Sequence, residues 1–151
     1  MATVTNLKRL YEIDDSQWLA EMIELLKQRQ FEHLDLENLI EELVHLGSEK
    51  KNAVVSLLEQ VIRHLLLLEY WTAEREQNQV YWESEIVSFR TQLRRRLTNN
   101  LYNYLIKELP SIYQDALICV RTKTRFKVDF PENCLYSLDQ LLEVDFFISV
   151  R

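Results

Sequence analysis

Residues 54–68 of the chain read VVSLLEQVIRHLLLL, and this stretch decides the fold class. Its apolar residues recur in steps of four and three, which is the spacing of one buried helix face. The residues with this spacing are Val54, Leu58, Val61, Leu65 and Leu68, and those that widen the stripe are Val55, Ile62 and Leu66. The pattern predicts a helix over about residues 49–73 that contacts several neighbours at the centre of the fold.

Capping signals on both sides of this stretch predict further helices. Asp14 with Gln17, Ser111 with Gln114, and Ser137 with Gln140 have the spacing of a capping box. Asp35 is expected to cap a helix that Gly47 ends, after which Ser48 caps the central helix. The other helices are expected over about residues 15–30, 80–98, 112–124 and 138–143, with a short helix before Pro110 and an interruption at Asn99-Asn100.

The segment from Arg125 to Tyr136 contains Phe126, Val128 and Phe130 but then Pro131, so we expect an extended loop with room for one short strand. No internal repeat or linker divides the chain. The expected fold is therefore all-α, a single irregular helical bundle of about five to seven helices in one domain over residues 1–151.

The scarcity of glycine excludes several functions. The chain has one glycine, Gly47, and two prolines, where average usage at this length gives about ten and seven. Nucleotide-binding loops need several glycines close together so that backbone amides converge on a phosphate. A serine-hydrolase nucleophile elbow also needs glycines around its serine. Walker-type, Rossmann-type and serine-hydrolase sites are therefore excluded, and no cofactor is expected.

Localisation is predicted from what the sequence lacks. Cys119 and Cys134 are the only cysteines and form no CxxC motif, and no apolar signal region follows Lys8 and Arg9. The longest aliphatic run, Leu65 to Leu68, is far shorter than the roughly 20 residues of a membrane span. A cytoplasmic protein with free thiols and no membrane partner is expected.

Motifs spread along the chain resemble the bacterial domain of unknown function 29 family, over about residues 7–147. The motifs are Leu10-Tyr11-Glu12 with Asp14 and Trp18, the run Asp35 to Leu43, Leu46-Gly47 with Glu49, His64-Leu65-Leu66, Trp82 with Arg90, Tyr113 with Ala116, and Phe130 to Cys134 with Tyr136, Leu138, Gln140 to Leu142, and Asp145-Phe146. The resemblance implies an all-helical fold and adds no activity.

One candidate site combines glutamates with histidine. Glu42 and His45 form a Glu-x-x-His step, which di-iron bundles use twice but which occurs here once. A helical wheel places Glu41, Glu42 and His45 opposite the apolar arc, as on a solvated face, so Glu42 and His45 are weak metal candidates. His64 lies at the edge of the central apolar stripe, where a packed histidine bonded to a carbonyl or carboxylate is the usual outcome. The alternative is that Glu41 or Glu42 reaches His64 from a neighbouring helix and forms a catalytic general base.

A second candidate is electrostatic. Residues 86–127 carry nine basic residues and two acidic ones, whereas the whole chain has a net charge of −6. We call residues 86–127 the basic lobe. Its main cations are Arg94, Arg95, Arg96, Arg121, Lys123, Arg125 and Lys127, with Tyr102, Tyr104 and Phe126 interspersed. Such a pattern suits phosphate contact and base stacking, but the basic lobe can equally face the acidic N-terminal helices of the same or a second chain.

Three functional hypotheses follow. The first is a non-enzymatic interaction or regulatory module, homodimeric through surfaces that include Trp18, Trp71, Trp82 and the central apolar face. The second is an enzyme or metal protein centred on Glu41, Glu42 and His64, and the third is nucleic-acid binding by the basic lobe. Trp82 and Arg90 are expected to take part in a polar network, and a pocket shared by these residues is the observation that would separate the hypotheses.

Overall fold

The computed structural model describes residues 4–147, with side chains from Asn6 onward, and all of its regular elements are helical. The helices are α1 (Val4–Ile13), α2 (Asp15–Lys27), α3 (Leu36–Tyr70), α4 (Thr72–Arg96), α5 (Asn99–Lys123) and α6 (Leu138–Leu142), with a 3-10 turn at Phe31–His33. Residues 4–147 contain no strand, so the predicted all-α class is confirmed and the short strand suggested in the loop after α5 is not formed. Among the described helices, none is long and apolar enough to cross a membrane.

Contacts along the chain separate two compact units, one ending at Glu49 and the other beginning at Lys50. Unit 1 contains α1, α2, the 3-10 turn and the first part of α3. Unit 2 contains the remainder of α3 with α4, α5 and α6. The expectation of one domain over residues 1–151 stays a prediction.

Unit 1 has a small core. Its buried side chains are Leu7, Trp18, Met22 and Leu25. Helix α2 begins after Asp14, whose carboxylate accepts a 3.0 Å hydrogen bond from the Gln17 backbone N–H, so this predicted cap is present. The sequence reasoning missed α1 and began the first helix at residue 15.

Helix α3 corrects the predicted break at Gly47. The helix runs without interruption from Leu36 to Tyr70, so Gly47 ends no helix and Ser48 caps none. Gly47 lacks the positive φ of a left-handed helix cap, and its neighbours are all compatible with a helix. A glycine inside a helix costs about 1 kcal/mol relative to alanine, a penalty that a 35-residue helix can absorb.

Unit 2 has a much larger core built around α3. The predicted face of α3 is buried as expected, and its residues pack with Trp82, Ile86 and Leu93 of α4. Leu105, Leu117 and other residues of α5 complete the same cluster. The sequence period of the central stretch therefore identified the core of unit 2.

Helix α5 corrects a second predicted break. It runs from Asn99 to Lys123 through Pro110, so the separate helix after Pro110 and its capping box at Ser111 are wrong. Proline removes the hydrogen bond to the carbonyl four residues earlier, that of Ile106. Ile106 and Pro110 are both exposed, so this turn of α5 lies at the surface of the structure. The actual cap of α5 is Thr98, whose hydroxyl accepts from the Leu101 N–H at 3.2 Å.

The loop after α5 is held against that helix by polar contacts. Arg125 and Phe126 have φ values of 55° and 58°, which turn the chain after α5. The Tyr113 hydroxyl donates to the Pro131 carbonyl at 2.6 Å, and Arg121 pairs with Glu132 at 2.7 Å. The loop leads into α6, where Ser137 and Gln140 form the predicted capping box in full.

Candidate functional site

The predicted glutamates of unit 1 are engaged locally. Glu41 is exposed, whereas Glu42 is half-buried and accepts a 2.5 Å hydrogen bond from the Tyr11 hydroxyl. This bond to a carboxylate raises the pKa of Tyr11 to about 12, because ionised tyrosine would lose it. His45 lies 3.1 Å from Glu49, and both side chains are exposed. The contacts of Glu42 and His45 are thus those of a helix surface and its neighbouring helix.

His64 lies in unit 2 and has the packed environment expected of a core-edge histidine. Its Nδ1 atom donates to the carbonyl of Gln60, one helical turn earlier, at 2.7 Å. Its ring lies 5.6 Å from that of Phe89. Burial lowers the pKa of His64, although the bond to Gln60 partly opposes this shift. A neutral imidazole with an occupied Nδ1 follows at neutral pH.

The geometry proposed for the Glu–His pair is wrong. That proposal placed Glu41 and Glu42 on a helix neighbouring that of His64, but all three residues belong to the continuous helix α3. Among the described residues, no group of three or more histidine, cysteine, aspartate or glutamate side chains is placed to hold a metal ion. The structure therefore supplies no support for a general base or metal ligand at these positions.

The three tryptophans do not form an exposed surface. Trp18 and Trp82 are buried, and Trp71 is half-buried and stacks on Trp82 with ring centroids 6.0 Å apart. The apolar face of α3 from Val54 to Leu68 is also buried. Trp18, Trp82 and this face of α3 therefore belong to the cores of their units, which leaves only Trp71 partly accessible, and the homodimer itself stays a prediction.

Arg90 forms the most extensive buried polar arrangement in unit 2. It is 2% exposed, and its Nε and Nη1 atoms donate to the carbonyls of Leu141 and Phe146 at 2.7 and 2.9 Å. Longer contacts of 3.4 Å join Nη1 to the Val144 carbonyl and Nη2 to the Gln140 carbonyl. Arg90 thus binds the C-terminal end of α6 and the residues after it. A polar network that joins Trp82 to Arg90 stays a prediction.

The charge of Arg90 persists at neutral pH despite its burial. Desolvation lowers its pKa to about 10, while the negative charges of Glu143 and Asp145 act in the opposite direction. All of its hydrogen-bond acceptors are neutral backbone carbonyls. Carbonyls at a helix C-terminus carry partial negative charge, which stabilises a cation placed there.

An open groove lies beside Arg90. It has a volume of about 340 Å³ and is mainly apolar apart from its cationic groups. Its lining residues are Val87, Arg90, Thr91, Arg94, Arg95 and Val144. Five of them occupy one face of α4, and Val144 comes from the segment that Arg90 holds. We call this feature the arginine groove.

The rest of the basic lobe is divided between free and paired groups. Arg96 lines a different concavity with Lys50, Thr98 and Leu101, whereas Arg121 pairs with Glu132. The exposed residues Lys123, Arg125 and Lys127 surround exposed Phe126. Of the tyrosines, Tyr102 donates to Asp139 at 2.5 Å and the ring of Tyr104 lies 5.0 Å from the Lys51 ammonium. Nucleic-acid binding by Arg94, Arg95, Arg96, Arg121, Lys123 and Arg125 stays a prediction.

Unit 1 exposes large apolar side chains at helical spacing on two helices. Three lie on α2 and three on α3, and each is between 41% and 59% exposed. These six residues, which we call the unit 1 stripe, are Leu19, Ile23, Leu26, Leu36, Ile40 and Leu43. In α2, each stripe residue comes one position after a member of the buried cluster of Trp18, Met22 and Leu25. Successive residues of a helix are about 100° apart around its axis, so the stripe lies beside the buried face, and the row on α3 is placed in the same way relative to Leu39. The apolar arc that a helical wheel predicts for this part of α3 consists of Leu36, Leu39, Ile40, Leu43, Val44 and Leu46. Leu39 packs against the buried cluster, whereas the other five are exposed.

Sequence reasoning missed a partly buried tyrosine–glutamate contact in unit 2. The Tyr136 hydroxyl donates to the Glu69 carboxylate at 2.7 Å, across 67 positions of sequence. Burial and this bond raise the pKa of Tyr136 far above its usual range. Glu69 also lines a cleft of about 300 Å³ with Leu68, Arg75 and Phe147. A contact at such separation has no periodic or spacing signal in the sequence.

The family model described as domain of unknown function DUF29 matches residues 10–147. The chain belongs to the DUF29 family. The match extends through both units and includes Arg90, the arginine groove and all of the unit 1 stripe. This DUF29 chain has no significant similarity to any curated protein or solved structure compared with it.

Proposed function

We propose that this DUF29 chain is a non-enzymatic, cytoplasmic interaction module that forms a homodimer through the unit 1 stripe. The observation that carries the proposal is the exposure of six large apolar side chains on two adjoining helices of unit 1. Large apolar side chains exposed in that number are typical of a protein–protein interface. The two cysteines are free in the described structure, in keeping with a reducing compartment.

Charge directs the stripe towards one region of the second copy. Residues 1–49 contain eleven acidic and four basic residues, a net charge of −7. Two such surfaces facing each other would bring like charges together, which opposes their association. The C-terminal end of α5 offers the opposite sign, with Lys123, Arg125 and Lys127 around exposed Phe126.

The resulting arrangement is reciprocal. Unit 1 of each chain contacts the end of α5 in the other chain, where Ile118 and Phe126 are 62% and 74% exposed. Both surfaces thus combine apolar side chains with charge, and the charges are of opposite sign. A two-fold axis closes such a pair and leaves no unit 1 stripe uncovered.

Light scattering coupled to gel filtration tests the proposal. The expected mass is twice the 18.2 kDa of one chain, at concentrations of roughly 1–100 μM. Ile23→Glu with Ile40→Glu places two charges in the stripe and is expected to give a monomer with unchanged helical circular dichroism. Val80→Glu is the matched control, because Val80 is 77% exposed on α4 and lies outside both surfaces.

The same light-scattering measurement tests whether opposite charges stabilise the dimer. Lys123→Glu with Lys127→Glu should weaken dimerisation at least tenfold, and about 0.5 M salt should weaken the wild-type dimer through screening. A monomer at every concentration contradicts the proposal. A dimer that survives the Ile23→Glu, Ile40→Glu pair also contradicts it, because the contact would then lie elsewhere.

A further inference from the structure

We propose that the arginine groove binds a small amphiphilic anion, with a carboxylate or phosphate head on an apolar body. The groove lies between α4 and the segment after α6, entirely within unit 2. Its volume of about 340 Å³ is at the lower end of the ~300–1,000 Å³ range of ligand pockets. The inference is independent of the proposed dimer, because it concerns a different surface.

The cations of the groove are not paired with carboxylates in the described part of the chain, and two of them are exposed. Among the described residues, no carboxylate lies within 4 Å of the guanidinium groups of Arg90, Arg94 or Arg95. Arg94 makes one long contact, 3.5 Å from its Nη1 atom to the Leu142 carbonyl. Arg94 and Arg95 are both exposed, so their guanidinium groups can turn to bind a ligand head in bidentate fashion.

Arg90 contributes positive charge to the groove and holds the segment after α6 that forms the side of the groove opposite α4. Its guanidinium is held by carbonyls of residues 140–146 and carries no paired carboxylate, so its positive charge extends into the groove. The same bonds place Val144 opposite α4. Glu143 and Asp145 are exposed and act on Arg90 through space, so they reduce the positive potential of the groove without cancelling its three cations.

The apolar lining selects the rest of the ligand. Val87 and Val144 are 41% and 53% exposed at the groove, and the alkyl stems of Arg94 and Arg95 extend the apolar surface. A free inorganic anion would contact only the guanidinium groups. An alkyl or aryl body would additionally remove this apolar surface from water, which favours binding by roughly 25 cal/mol per Å².

Helix polarity alone does not explain the arrangement. Arg94, Arg95 and Arg96 all occupy the last turn of α4, where a cation is stabilised by the helix dipole. Only Arg94 and Arg95 line the groove, whereas Arg96 lines another concavity. The chain therefore offers a matched control of identical residue type in the same turn.

Isothermal titration calorimetry of the full chain tests the proposal, with decyl phosphate and decanoate kept below their micelle concentrations. Both amphiphiles are expected to bind, and inorganic phosphate and decanol are each expected to bind at least tenfold more weakly. Arg94→Gln with Arg95→Gln should weaken decyl phosphate binding at least tenfold. Arg96→Gln should change it less than twofold.

A second variant tests the volume rather than the charge. Val87→Trp keeps all three arginines but fills the groove, and a tenfold or greater loss of decyl phosphate binding is expected. Nuclear magnetic resonance should place the ligand-induced amide shifts at Thr91 and Val144. The proposal is overturned if wild type shows no binding up to about 1 mM, if the double arginine variant binds as wild type does, or if Arg96→Gln has the larger effect.

Discussion

Units 1 and 2 bury apolar surface to very different extents. Unit 1 has a core cluster of four buried residues, whereas the cluster of unit 2 has twenty-one. The unit 1 stripe nevertheless exposes six large aliphatic side chains, more than the four buried residues of the core cluster of the same unit. The difference shows that unit 2 contains its own hydrophobic core, while unit 1 leaves much of its apolar surface exposed, and this exposed surface is the one on which the proposed dimer depends.

Matched cavity variants in the two units should give the largest changes in the free energy of unfolding. Leu65→Ala in unit 2 and Met22→Ala in unit 1 each remove a fully buried side chain and should each cost about 2–5 kcal/mol. Hydrogen exchange by mass spectrometry should show that Met22→Ala lowers protection mainly in residues 6–49. Leu65→Ala should lower protection throughout residues 50–147.

The same experiment can contradict the view that the two units differ in stability. If Met22→Ala lowers protection in unit 2 as strongly as Leu65→Ala does, the two units unfold as one cooperative structure. Cooperative unfolding of both units would then support the prediction of a single domain.

A buried hydrogen bond stabilises unit 1 in addition to its small apolar core. The Trp18 indole donates to the fully buried Asp35 carboxylate at 3.0 Å, and Asn38 donates to the same oxygen at 2.7 Å. The other oxygen of Asp35 is buried without a partner among the described residues. Trp18→Phe should therefore cost about 2 kcal/mol, because a hydrogen bond to a charged group contributes roughly 1.5–3 kcal/mol.

A double-mutant cycle separates that bond from the loss of ring area. Asp35→Asn alone, Trp18→Phe alone and both together are compared by urea unfolding, and a coupling free energy above about 1 kcal/mol is expected. Additive effects would show that Trp18 stabilises unit 1 by packing alone, including its edge-to-face contact with Tyr11.

The sequence predicted features that depend on neighbouring residues in one helix. The buried face from Val54 to Leu68 and the capping box at Ser137 were correct because helical spacing and cap chemistry are local. Gly47 and Pro110 were misread as breaks because both residues are also tolerated inside long helices, and the outcome depends on tertiary packing. Here α3 and α5 are each held by other elements on both sides of the misread residue.

The candidate sites were less predictable than the fold. Arg90 was singled out from the sequence, but its acceptors are backbone carbonyls, which every residue carries and which no motif can mark. The partner of Glu42 is Tyr11, on the helix α1 that the sequence reasoning missed. The exposure of the unit 1 stripe was also invisible, since an apolar arc looks the same in sequence whether a neighbour covers it or not.

Gly47→Ala gives the smallest expected effect and tests the point where the two units meet in sequence. Apart from the adjacent residues and the backbone of the same helix, no described atom lies within 4 Å of the position that an alanine Cβ would occupy, and the backbone there is helical. Alanine should therefore stabilise the chain by about 0.5–1 kcal/mol, because it loses less backbone entropy than glycine when α3 forms. Thermal unfolding should show a higher melting temperature, whereas Ser48→Gly, the converse change at the next position, should lower it. A destabilising Gly47→Ala would mean that residue 47 adopts a left-handed cap and that two helices meet there, and the division between the units would then be a true turn.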